Sequence, residues 1–166
     1  MLKHTDVHET VARIEMSPAF TAFKAQNPHH YLVHAFGTAE QAQRTALELG
    51  YYGKEADTIT VFKSDPVQAL PPEDVFKEQG ALAQLDLSAV RIGFAQAIEL
   101  AEKYRVQTYP HHPIMKMICV LQQQELPFWN MTLVTGTLQM INIRIDAVTG
   151  QLLSRSLHSI MDLAKE

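Results

Sequence analysis

Apolar residues recur at two different periods along this chain, and the changes of period divide it into elements. Val7, Val11 and Ile14 fall on one face at helical spacing. Asp6, with Glu9 three positions on, has the form of a capping box at the start of that helix. Ser17-Pro18 interrupts it, because the residue before a proline avoids the α region while proline suits a first helical turn. Ser17 is therefore expected to cap a second short helix that carries Phe20 and Phe23 and ends near Asn27-Pro28. Residues 30–36 are rich in β-formers and stop at Gly37. Residues 44–52 alternate, with Thr45, Leu47, Leu49 and Tyr51 on one side. Gly53 to Asp57 reads as a polar turn, and the β-branched run 58–62 returns as the second strand of an antiparallel hairpin.

Ser64-Asp65-Pro66 and Leu70-Pro71-Pro72 then break the pattern, and 73–78 has room for one helical turn. A second cycle follows. Ser88 is the expected cap of a helix over 88–104, with Phe94, Ile98 and Ala101 on one face. Four strands come after it: the almost wholly apolar 116–121, the alternating 128–134 with Trp129, Met131 and Leu133 together, 137–145 with Ile141, Ile143 and Ile145 together, and a last strand from Leu152. Asp146 to Gly150 is a tight turn in which Asp146 can bond its own backbone and Gly150 can take a positive φ.

The order of helix followed by strands with a hairpin occurs twice, which predicts an internal duplication. The expected architecture is α+β: two cystatin-like half-domains, each a helix packed on a curved antiparallel sheet. The first covers 1–66, a linker 67–84, and the second 85–166. A unit this short buries a thin core, so packing the halves together is what stability favours.

Composition narrows the function classes. With 46% apolar and 19% charged residues, the chain can bury a core and is not globally disordered. It has 14 basic against 18 acidic side chains, a formal net charge of −4, which argues against a nucleic-acid backbone as partner. No run approaches the ~20 apolar residues of a membrane-spanning helix. The N-terminus moves straight into polar residues, so a cytoplasmic location is expected. Cys119 is the single cysteine; in the most apolar strand it reads as a small buried hydrophobe, and no motif supports a nucleophile pairing with His111. Eight histidines (His4, His8, His29, His30, His34, His111, His112 and His158) lack the spacing of a metal site, so neither metal nor cofactor is expected.

Leu87-Ser88-Ala89-Val90 followed by Ala95 to Ala101, together with Trp129 and the run Ile143-Arg144-Ile145-Asp146-Ala147-Val148-Thr149-Gly150-Gln151-Leu152, resembles the PepSY domain and its closing hairpin. The resemblance covers roughly 85–160. It implies a cystatin-like fold, a binding or inhibitory role and no catalytic residues, and it gives Asp146, Thr149 and Gly150 a structural part.

The resulting expectation is a non-enzymatic interaction protein with a protein or peptide partner, a peptide- or protease-binding regulator in kind, in which an open sheet face or edge strand does the recognising. Dimerisation is a common way to manage uncovered edges, so a homodimer fits as well. Trp129, Tyr51 and Tyr52 are the candidate binding residues, chosen as aromatics with the potential to be exposed. The alternative is a small-molecule binder or enzyme with a cone-shaped pocket like that of nuclear-transport-factor-two-like proteins, with His34, Tyr31 or Asp57 inside.

Overall fold

The computed structural model describes residues 4–41, 43–75 and 81–159. Helices α1 (Asp6–Glu15) and α2 (Pro18–Gln26) precede β1 (Tyr31–Glu40), β2 (Gln43–Arg44), β3 (Glu48–Gly53), β4 (Thr58–Ser64), β5 (Val67–Ala69) and β6 (Glu73–Asp74). A 3-10 turn (Leu87–Ala89) leads to α3 (Phe94–Thr108), then β7 (Ile114–Gln123), β8 (Pro127–Thr135), β9 (Gln139–Asp146) and β10 (Leu152–Ser159). The protein is α+β, with one large antiparallel sheet in the order β10-β9-β8-β7-β1-β3-β4-β5, while β2 pairs β1 and β6 pairs β4. Two meanders thus meet at their first strands, β1 and β7, in register from Ala35 opposite Leu121 to Ala39 opposite Met117. Where two separate sheets were expected, the strands form one.

All three helices lie on the same side of the sheet, α1 against β4, α2 against β5 and α3 against β9. Strand alternation sends Leu49, Phe62, Cys119, Leu121, Trp129, Met131, Leu133, Ile141, Ile143 and Ile145 into the core beneath them. Val7, Val11 and Ile14 are the buried positions of α1, as their spacing requires. The core has two aromatic centres. Phe20, Phe23, Tyr51 and Phe62 contact one another under α2. Phe94 stacks on Trp129 at 5.9 Å between ring centroids. Phe94 also covers Gly37 of β1, where an added Cβ would come within 2.6 Å of its ring. That contact explains why β1 runs through Gly37 to Glu40 instead of stopping there: the missing side chain makes room for a ring from the other meander.

Two helix starts differ from expectation. The capping box of α1 is built by Thr5 and His8, with the Thr5 amide donating to His8 Nδ1 at 3.1 Å and the Val7 amide to Thr5 Oγ1 at 3.1 Å. Ser88 caps nothing; Asp86 caps the short 3-10 turn, and α3 begins at Phe94. The N-terminus of α3 is capped from α1, where the Asp6 carboxylate accepts the amides of Phe94 at 2.7 Å and Ala95 at 3.1 Å. Ser17 caps α2 as predicted, accepting from the Phe20 amide at 3.2 Å. The helical turn expected at 73–78 is a strand pairing at Glu73–Asp74, and its remainder lies largely outside the described residues. The Asp146 to Gly150 turn forms as read: Asp146 Oδ1 accepts the amides of Val148 and Thr149, and Gly150 has φ +82°. Its Ala147 carbonyl accepts the amides of Arg91 and Ile92, each at 2.9 Å, which pins the approach to α3.

Candidate functional site: a groove where the two meanders meet

The three aromatics singled out from sequence are all buried. Trp129 is enclosed, with its indole Nε1 donating to the Ile92 carbonyl at 2.8 Å. Tyr51 points to the helix side and donates its hydroxyl to Glu15 Oε2 at 2.9 Å. Burial, then the Glu15 carboxylate, hold that phenol well above its ordinary range. Tyr52 points the other way, as its neighbour on a strand must, yet it too is buried, with its hydroxyl bonded to Asp57 and Tyr31 set edge-on at 5.7 Å. The expectation of exposed aromatic anchors is therefore corrected: these side chains close the core and the β1–β3 seam.

The groups proposed for a cone-shaped pocket do not converge on one hollow: Tyr31 lines a concavity of about 310 Å³ beside His29, His30 and Lys54, which neither His34 nor Asp57 lines. The His34 ring lies over Gly50, the residue facing it on β3, at the place where a Cβ would sit 2.2 Å from His34 Cε1. Burial lowers its pKa. Tyr31 donates to the Leu82 carbonyl at 2.6 Å, and Asp57 receives Tyr52. A second histidine repeats the His34 arrangement, since His30 covers Gly53 with its ring; burial and then Lys24 lower its pKa. Cys119 is buried in β7, and burial pushes its thiol up to about 12. Among the described residues no three His, Cys, Asp or Glu side chains are grouped to hold a metal ion.

A concavity lies at one end of the β1–β7 junction. It is a groove of about 490 Å³ lined by Ala39, Ile98, Glu99, Glu102, Ile114 and Met115, with Met117 at its base. Adjacent hollows continue it, one of about 610 Å³ reaching Lys116 and Val134 and one of about 320 Å³ reaching Arg44 and Ala95. Three elements build it. β1 contributes Ala39, and Gln41 just beyond it takes φ +53°, in the left-handed region. The outer face of α3 contributes Ile98, Glu99 and Glu102. The start of β7 contributes Ile114 and Met115, the latter 61% exposed. Glu102 is held by Arg105, whose Nη1 also donates to the carbonyls of Tyr109 at 3.0 Å and His112 at 3.1 Å, fixing the α3–β7 loop. Glu99 is exposed on the rim and, among the described residues, makes no hydrogen bond or ion pair.

The sequence pattern did not isolate this site, because its residues come from three segments and each is unremarkable alone. The usable signal was Ile114-Met115: after Pro113, at a strand start, two adjacent large apolar residues must point to opposite sides, so one faces away from the core.

No family model matches the chain, and no curated protein matches it. Its fold is similar to that of a candidate lipoprotein from Clostridium difficile 630, with a TM-score of 0.53 over 84% of this chain and 90% of that one at 13% identity. At that identity the likeness shows the fold alone.

Proposed function

We propose that the chain is a non-enzymatic binding protein made of two cystatin-like half-domains fused edge to edge, and that the groove at their junction receives an apolar peptide segment of a protein partner. The groove's composition carries this reading: a lining of Ala39, Ile98, Ile114 and Met117 with the thioether of Met115 exposed beside it. Methionine adapts its shape to different apolar side chains and is favoured at surfaces that grip peptides. Glu99 at the rim favours a basic residue next to the apolar ones.

The half-domain reading is supported by topology. Each half runs helix first, then a meander whose first strand lies at the centre of the sheet and whose last lies at an end. The PepSY resemblance is supported by the Asp146 to Gly150 turn, whose bonds are those its residues call for. A protease regulator is the special case in which the bound segment belongs to a peptidase, and inhibition of a neutral metalloprotease tests it. One continuous sheet favours the cone-pocket alternative in part, but Phe94, Trp129 and the isoleucines of β9 fill the space under the helices where its ligand would sit.

Selection of displayed random peptides on the intact protein tests the proposal. Recovered sequences should combine large apolar residues with Lys or Arg and lose binding to Met115→Glu. Sequences that bind Met115→Glu as well as the wild type would refute it.

A further inference from the structure

Among the described residues, strand β10 (Leu152–Ser159) ends the sheet, paired on one side to β9. A bare strand edge presents a row of amides and carbonyls, which proteins guard with prolines, projecting charges or shortness, or else pair. The far end of the sheet is short, with three residues in β5 and two in β6. β10 is eight residues long and contains no proline. Its one arginine does not guard it: Arg155 Nη1 turns back to the carbonyl of Tyr104 at 3.0 Å and to Gln107 Oε1 at 3.1 Å, serving the end of α3. Leu153, at the irregular start of the strand, is 55% exposed.

We infer that β10 is a homodimer contact, in which two copies of this chain pair their β10 strands antiparallel about a two-fold axis through Ser156. The chain already contains such a join, since β1 and β7 unite two meanders edge to edge. Closed two-fold pairs are the commonest assemblies, and they require a patch complementary to itself. Facing residues of antiparallel strands lie on the same side of a sheet, so the axis must pass through a residue. An axis at Arg155 sets that residue against its own copy, and like charges directly opposite destabilise. An axis at Ser154 or Leu157 shortens the pairing. At Ser156, Arg155 faces Leu157 and His158 faces Ser154, with Leu153 opposite Ser159, and no charge opposes its like. The Ser156 side chain lies on the helix-free side, beside Asn142 of β9. This inference is independent of the groove, to which β10 contributes no residue.

Cysteine substitution in the full chain reads the register. Facing Cβ atoms lie about 4.5–5.5 Å apart, close enough to bridge after a small adjustment. Ser156→Cys should form a disulfide-linked dimer on mild oxidation. Ser154→Cys and His158→Cys should not do so singly, because each lies about 14 Å from its own copy, four residues along the strand. Mixed, those two should cross-link with each other. Native Cys119 is buried and does not compete. Wild-type protein should sediment as a dimer, and Ser156→Glu, which sets like charges opposite each other at the axis, as a monomer with an unchanged circular-dichroism spectrum. A monomeric wild type, a Ser156→Cys that links no faster than Ser154→Cys, or a dimer that survives Ser156→Glu each overturns the inference.

Discussion

Asp6 opens the first helix of the chain and closes the start of the third, its two carboxylate oxygens accepting the amides of Phe94 and Ala95. A helix start leaves four amides without partners and carries a partial positive charge, so an anion there satisfies both. Gly93, which precedes α3, permits the approach: a Cβ on it would sit 2.5 Å from Asp6 Oδ1. The two meanders are thereby tied across the helix layer as well as through the sheet.

Removal of that cap should cost what a helix cap is worth. Asp6→Ala is expected to lower unfolding free energy by about 0.5–2 kcal/mol. Glu9→Ala, which removes the residue that the sequence pattern put in the capping box, should be near neutral. Urea titrations of the two variants give the comparison.

Gly50 and His34 act as one unit, a ring filling the place of a side chain. Gly50→Ala should destabilise by about 1–3 kcal/mol, the usual range for forcing atoms into a packed site. In a His34→Ala background the same substitution should cost much less. The coupling from a double-mutant cycle checks this, and equal costs in both backgrounds would disprove the contact.

Acid should weaken the fold through the same histidine. Its folded pKa is lowered by burial below the unfolded value of 6.5, so the folded state binds fewer protons than the unfolded one. Its stabilising contribution is complete above 6.5 and is lost as pH falls below it. His30 has the same sign. Stability curves of wild type and His34→Gln should diverge in shape below that pH, the variant falling less steeply.

Cys119 should be silent in the native protein. With its thiol buried and pushed up to about 12, it should not react with an aromatic disulfide reagent at neutral pH. One equivalent should react once denaturant is added. Fast native reaction would place it at the surface.

Local features of this fold were legible in sequence, and those that depend on distant partners were not. The faces of α1, the Ser17 cap, the hairpin read over 44–62, whose strands form at Glu48–Gly53 and Thr58–Ser64, and the Asp146 to Gly150 turn each depend on residues a few positions apart, so pattern sufficed. The end of β1 did not, because Gly37 continues the strand only when Phe94 lies over it. The cap of α3 did not, because the carboxylate that accepts the Phe94 amide sits 88 residues away. Alternation sends Tyr51 and Tyr52 to opposite faces but says nothing of what packs on each, such as Tyr31 set edge-on to Tyr52. The groove joins residues near 40, 100 and 115, a juxtaposition created by the pairing of β1 with β7.

The most direct measurement is a map of backbone amide shifts when a selected apolar, basic peptide is titrated into the labelled protein. The binding account predicts that the largest changes fall on Ala39 to Gln41, Ile98 to Glu102 and Ile114 to Met117, and that Met115→Glu abolishes them without lowering Tm. Shifts centred elsewhere, such as on the β4–β5 end of the sheet, or a Met115→Glu protein that still shows them, would contradict it.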